Sequence, residues 1–153
     1  MAHTARGAAP MTFPASHEGG CLCKAVRFRV TGDPLHSVIC HCHSCRRASG
    51  APSVAWLTFD RGQVEFVAGE ARSFPSSPGV VRRFCPNCGS QIAYETAASP
   101  ACIDLTTATL DDPTAFPPAR EVWVRDKLWW EAVNHALDHY PADLVKGGQD
   151  HGQ

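Results

Sequence analysis

Long apolar runs are missing from this 153-residue chain. A membrane-spanning helix needs about 20 consecutive apolar residues, and no segment offers them, so a soluble, cytoplasmic protein is expected. An excess of one charge sign is missing too: 14 Lys and Arg stand against 15 Asp and Glu, a formal net charge of -1. Without a basic excess there is no electrostatic footprint for nucleic acid or an anionic membrane surface. The opening MAHTARGAAPMTFPASHEGG lacks the continuous apolar core of a secretory signal. Residues 1–17 read as a flexible lead-in, partly ordered from Phe13, and residues 142–153 as a flexible tail. That leaves one domain over 18–141. Helical periodicity is scarce. The exception is KLWWEAVNHALDHY, where Leu128, Glu131, Ala132, His135, Ala136 and His139 predict a helical stripe.

What is present is a series of short alternating segments punctuated by Gly and Pro. KAVRFRVTG puts Val26, Phe28 and Val30 on one face and Arg27 and Arg29 on the other. GQVEFVAGE does the same with Val64, Phe66 and Ala68. HSVIC, APSVAWLTFD, GVVRRFC, SQIAYETAA and ACIDLTTATL read as further strands. REVWVRDKLWW reads as extended, with Val122 and Val124 opposite Trp123 and Arg125. SCRRASG predicts a short helix closed by Gly50, and DDPTAFPPA a loop. Hydrophobic residues make up 44% of the chain, enough for an ordinary core. The fold class is a mainly β single domain.

Eight cysteines are many for such a chain, and seven are clustered: Cys21 and Cys23; Cys40, Cys42 and Cys45; Cys85 and Cys88. With no export signal visible and tight spacings, metal binding is favoured over disulfides. In an extended segment residues i and i+2 share a face, so the C-x-C pair Cys21/Cys23 can aim two sulfurs at one ion. FCPNCGSQ is a tight turn in which Pro86 presets φ and Gly89 accepts a left-handed backbone, the pattern of a zinc knuckle. A redox C-x-x-C is the competitor, but it normally opens a helix in a βαβ unit. The triplet Cys40, Cys42 and Cys45 supplies three sulfurs. Structural zinc usually takes four protein ligands; catalytic zinc takes three and keeps one position open. The seven sulfurs divide most simply into a closed set of Cys21, Cys23, Cys85 and Cys88 and an open set of Cys40, Cys42 and Cys45. His41 or His43 completing the second set, and an iron–sulfur cluster, stay open as alternatives.

GGCLCKAVRFRV, CHCHSCRRASGAP and RRFCPNCGSQIAY, followed by TLDD, REVWV and ALDHYP, resemble the glutathione-dependent formaldehyde-activating enzyme family, which includes centromere-protein-V-type relatives. The resemblance runs from Gly19 to Tyr140. It implies a β-tent fold of small antiparallel sheets around zinc, with short helices and two zinc ions per chain. It places a structural zinc on Cys21, Cys23, Cys85 and Cys88, and the catalytic, substrate-linked zinc on Cys40, Cys42 and Cys45. The implied activity is that of a carbon–sulfur lyase joining formaldehyde to glutathione. Lys24 stands where many relatives carry glycine, which should alter a turn and not a ligand.

Within that expectation Arg46 and Arg47 could clamp a carboxylate of a small thiol such as glutathione, and Trp56 could line its pocket. Trp123, Trp129 and Trp130 read as packing residues. His135 and His139 share a face only if their segment is helical. Nothing singles out Asp104 or Asp111, and Cys102 reads as a small buried hydrophobe. The alternative function is a non-catalytic, zinc-stabilised protein-interaction module. Self-association into a homo-oligomer is left open.

Overall fold

The computed structural model describes residues 15–143. Residues 1–14 and 144–153, most of the expected lead-in and tail, lie outside the described residues. In chain order the elements are β1 (Ser16–Gly20), β2 (Arg27–Thr31), β3 (His36–Cys40), α1 (His43–Ser49), β4 (Val54–Asp60), β5 (Val64–Ala68), β6 (Arg72–Ser77), β7 (Val80–Phe84), β8 (Gln91–Thr96), β9 (Cys102–Thr106), β10 (Arg120–Val122) and β11 (Asp138–His139). The expected small antiparallel sheets are realised as two. One has three antiparallel strands in the order β1-β2-β5. The other has eight, in the order β11-β10-β3-β4-β9-β8-β7-β6. Its edge departs from the expectation, because β10 pairs parallel with both β3 and β11.

Alternation sorts the two faces of the large sheet. Leu57, Phe59, Ala93, Ile103 and Leu105 pack in the main core with Phe28 and Val30 of the small sheet and with Val26 just before β2. Fully burying such side chains contributes roughly 1.5–3 kcal/mol each. The opposite face carries a second cluster of Val38, Cys40, Cys45, Trp56 and Val122. Across this second face runs a polar row in register: Arg82 beside Tyr94, Tyr94 beside Asp104, Asp104 beside Thr58, Thr58 beside His36.

Three segments differ from the sequence reading. β1 begins at Ser16, inside the expected lead-in, although SHEGG has no apolar alternation. It is held by its ladder to β2, by Arg29 donating to Glu18 at 2.8 Å, and by the Asp111 amide donating to the Glu18 carbonyl. β6 is an exposed edge strand, with Pro75 placed where no ladder donor is needed. The helix expected over KLWWEAVNHALDHY does not form. Trp123 takes φ 58, which ends β10 at Val122 and overturns the extended reading of Val124. A 3-10 turn, Val124–Asp126, follows. The Lys127 ammonium then occupies the carbonyls of Leu128 and Glu131 at 2.9 and 2.5 Å, acceptors that a helix would need. The Asn134 amide donates instead to Glu121 Oε1 at 2.6 Å. His135 and His139 do meet, with ring centroids 6.1 Å apart, but through a turn.

Cys21 and Cys23 likewise sit in a turn and not on a strand: the Lys24 amide donates to the Cys21 carbonyl at 3.0 Å, and Lys24 takes φ 63. A left-handed backbone costs a side-chain-bearing residue roughly 1–2 kcal/mol. Glycine returns part of that through its flexible unfolded state. Lys24→Gly is therefore expected to stabilise the protein by about 0.5 kcal/mol, read as a higher urea midpoint at unchanged slope.

Candidate metal centres and the adjoining cavity

Two turns distant in sequence build the first cluster. The turn after β1 supplies Cys21 and Cys23; the turn after β7 supplies Cys85 and Cys88. In the latter, Gly89 at φ 74 lets its amide donate back to the Cys85 carbonyl at 2.9 Å, while the Cys85 amide donates to the Ser90 carbonyl. The Leu22 amide donates to Ser90 Oγ at 3.1 Å and ties the two turns together. All four sulfurs lie within 4.8 Å of one another, with Cys21–Cys23 at 3.6 Å and Cys23–Cys85 at 3.7 Å. None is in a disulfide. Tetrahedral zinc with sulfurs at about 2.3 Å would space them about 3.8 Å apart, so the donor set fits that ion. The surroundings favour thiolate at Cys21 and Cys88, whereas Cys23, against a backbone hydrogen bond from Ala25, is pushed up to about 12 by hydrogen bonding with its neighbouring thiols. The Val26 amide donates to Cys21 Sγ at 3.3 Å, and hydrogen bonding by the Ser90 hydroxyl brings Cys88 down to about 5.

The second cluster is assembled at one junction. Cys40 ends β3. Cys42 is the N-cap of α1, its sulfur accepting the Cys45 amide at 3.3 Å, and Cys45 lies one turn in. Gly50, left-handed at φ 70, closes the helix as expected. The three sulfurs lie within 4.8 Å of one another. Neither histidine joins them. His41 is turned into the protein, its Nε2 at 2.8 Å from Glu121 Oε2, with both side chains 2% exposed. His43 is exposed. Among the described residues the set is thus three sulfurs, again with spacing that suits zinc. Charge is shared unevenly between them. Hydrogen bonding from Cys40 and then Cys45 holds Cys42 well below the ordinary thiol range, while hydrogen bonding with Cys42 and then Cys45 pushes Cys40 far up.

Arg82, which sequence reasoning missed, stands over this cluster. Only 7% exposed, its guanidinium nitrogens lie 3.8 and 3.9 Å from Cys45 Sγ, and its Cζ is 5.1 Å from the Tyr94 ring centre. The signal was available: Val80 and Arg82 share a strand face, and Val80 is apolar. Arg83 faces the other way, to Glu95.

The triplet opens onto a cavity of about 280 Å³ on the second face of the large sheet. Trp56 lines it, as do Trp123, Cys102 and Asp104; Cys102 is half-buried there and not a core residue. Arg46 and Arg47 do not line it. Arg46 donates from Nε to the His41 carbonyl, and Arg47 is exposed. Trp129 and Trp130 do not pack as expected: without the helix they stand 91% and 57% exposed. Asp111 is a surface partner of Arg27.

Asp104 accepts from Thr58 Oγ1 at 2.5 Å, and burial pushes it up to about 6 against that bond, with Asp143 nearby adding to the rise. A raised carboxyl costs the fold nothing below the unfolded value, and the cost is complete once pH exceeds the folded one. Asp104→Asn is therefore expected to gain about 2 kcal/mol over the parent near pH 8, and nothing near pH 3.5. Urea unfolding at the two pH values measures this.

Comparison with known proteins bears on what these centres do. No helix is long and apolar enough to cross a membrane among the described residues. A protein of Schizosaccharomyces pombe named as an uncharacterized lyase is 30% identical over 90 residues, which is 58% of this chain and 65% of that relative, so the match leaves about a third of the relative's length uncovered. A crystal structure of a Rhodobacter sphaeroides protein covers 66% of this chain and 97% of its own, with a TM-score of 0.54 at 22% identity, and shares the fold. The family model described as glutathione-dependent formaldehyde-activating enzyme matches residues 16–126, both cysteine clusters included, and the chain belongs to that family.

Proposed function

We propose that this protein carries out zinc-dependent carbon–sulfur bond chemistry on a small thiol, with Cys21, Cys23, Cys85 and Cys88 as a closed structural site and Cys40, Cys42 and Cys45 as the reactive one. The observation that carries this is a three-sulfur cluster that no fourth described side chain completes and that opens onto a cavity. A zinc ion held there would supply an open position that favours the thiolate form of an incoming thiol. The protein's own groups prepare for that. Three thiolates and one divalent cation leave a net charge of about -1, which the Arg82 guanidinium offsets from a low-dielectric position. Tyr94, which lines the cavity beside Arg82, stays protonated because burial pushes it up to about 12. In the forward direction a thiolate sulfur bonds to the carbon of a small aldehyde. The carbonyl π pair moves to oxygen, and that oxygen takes a proton from water. Reversal breaks the same C–S bond. Glutathione and formaldehyde are the pair the family name supplies.

The exposed Trp129 and Trp130 favour a second reading, a zinc-stabilised module that grips another protein. Cobalt substitution followed by glutathione titration separates the two. Thiol entry at the open position is expected to change the ligand-field bands. Unchanged bands in a folded protein would favour the interaction module.

A further inference from the structure

Resting on that reading, a buried polar pair behind the triplet bears on how its sulfurs are aimed. Cys40 ends β3, and Cys42 caps α1 with an extended backbone, φ -61 and ψ 153. In an extended run the middle side chain points away from its two neighbours. That middle residue is His41, 1% exposed. Its peptide groups are held on both sides: the amide donates to the Val122 carbonyl at 3.1 Å, and the carbonyl accepts from Arg46 Nε at 3.3 Å. Its ring is held by one bond, Nε2 to Glu121 Oε2 at 2.8 Å, while Nδ1 is buried with no partner among the described residues.

Glu121 comes to the same place by alternation. On β10 it lies beside Ile39 of β3, whereas Val122 lies beside Cys40 and packs in the triplet's cluster. Consecutive strand residues face opposite ways, so Glu121 and His41 meet behind the sulfurs, outside the cavity lining and outside the main core. The second oxygen of Glu121, Oε1, accepts the Asn134 amide at 2.6 Å. A carboxylate suits that position because it accepts at both ends.

Burial of this pair favours direction over stability. Taking two such polar side chains out of water is costly, and an apolar pair of similar volume would fill the space as well or better. An apolar pair would lack the bond that fixes the ring's orientation. Groups that orient metal ligands from behind typically change metal affinity roughly ten- to a hundredfold when removed.

We propose that Glu121 is a positioning residue for the open metal site. Through the His41 ring it fixes the Cys40–His41–Cys42 peptide so that both sulfurs meet Cys45 Sγ. With its other oxygen it clamps the Asn134 segment behind that peptide. It acts on the ion through His41 alone.

The test is a double-mutant cycle on the full chain loaded with cobalt. Cys42→Ser identifies the absorption bands that belong to the triplet, and titration with a chromophoric chelator measures the affinity of each ion. Glu121→Met keeps the side chain's length and removes both acceptors; His41→Leu removes the ring. Each is expected to weaken the triplet's ion about tenfold or more, to alter its bands, and to leave the four-sulfur ion's affinity unchanged. The double variant buries an apolar pair and is expected to melt above either single variant. It should nonetheless hold the triplet's ion as weakly as they do, the two losses failing to add. A double variant that regains the parent's affinity along with its stability makes the pair merely structural and overturns the proposal. Single losses that add, or a Glu121→Met protein with the parent's triplet affinity, overturn it as well while leaving the three-sulfur site standing. Should a single variant fail to fold, the double variant against the parent decides by the same readouts. A parent that takes up one ion per chain overturns the three-sulfur site, and the proposal with it.

Discussion

Cys88→Ser is expected to yield a protein that neither holds its structural metal nor melts cooperatively near the parent temperature. The sulfurs concerned bring together turns more than 60 residues apart, the Cys23–Cys85 contact spanning 62. One turn follows the first strand of the small sheet and the other the seventh strand, in the large one. They pin the two layers at the edge of the main core, where Cys21 and Cys85 are 4% and 0% exposed. Structural zinc contributes roughly 10–16 kcal/mol to folding in small domains, as much as the roughly 5–15 kcal/mol of net stability that a whole domain possesses. Serine cannot replace a thiolate there, so the loss should exceed what packing supplies. Metal content and a thermal melt on the purified variant test it. A Cys88→Ser protein that melts like its parent would remove the structural role from the four-sulfur site.

Cys42→Ser should behave in the opposite way: about one metal per chain is lost and the fold is kept. The reason is local. Cys42 caps α1 by accepting the Cys45 amide, and serine is among the best residues for that task. The substitution removes a ligand and preserves the cap. Cys42→Ala would lose both and cost about 1 kcal/mol more. α1 is a seven-residue helix at the rim of the second cluster, with Cys45 its buried residue, so the main core is untouched. Metal analysis beside a melting curve distinguishes the two effects. A variant with the parent's full metal content would refute a three-sulfur site.

The sequence could be read this far because its strongest signals are local. Val26, Phe28 and Val30 alternate and are buried; Gly50 ends α1; the three cysteine motifs carry their own geometry. Features decided by tertiary contact could not be read in the same way. SHEGG becomes a strand because β2 offers it a partner. KLWWEAVNHALDHY has helical spacing but follows a left-handed Trp123, and its Asn134 amide is claimed by Glu121 from the sheet. At the site, cysteines announced themselves by spacing. The charged residues around them did not: Arg46 and Arg47 are neighbours in sequence and outside the cavity, whereas Arg82 and Asp104 are far in sequence and within it.

The parallel pairing of β3 with β10 sets an order of events. Cys40 lies beside Val122, 82 residues later in the chain. As the chain emerges from a ribosome N-terminus first, the three clustered cysteines are made long before the β10 strand that pairs beside Cys40. Such distant pairing is slow to form. The nascent protein therefore passes through an interval in which Cys40 has its β4 neighbour Val54 but not yet Val122 on its other side.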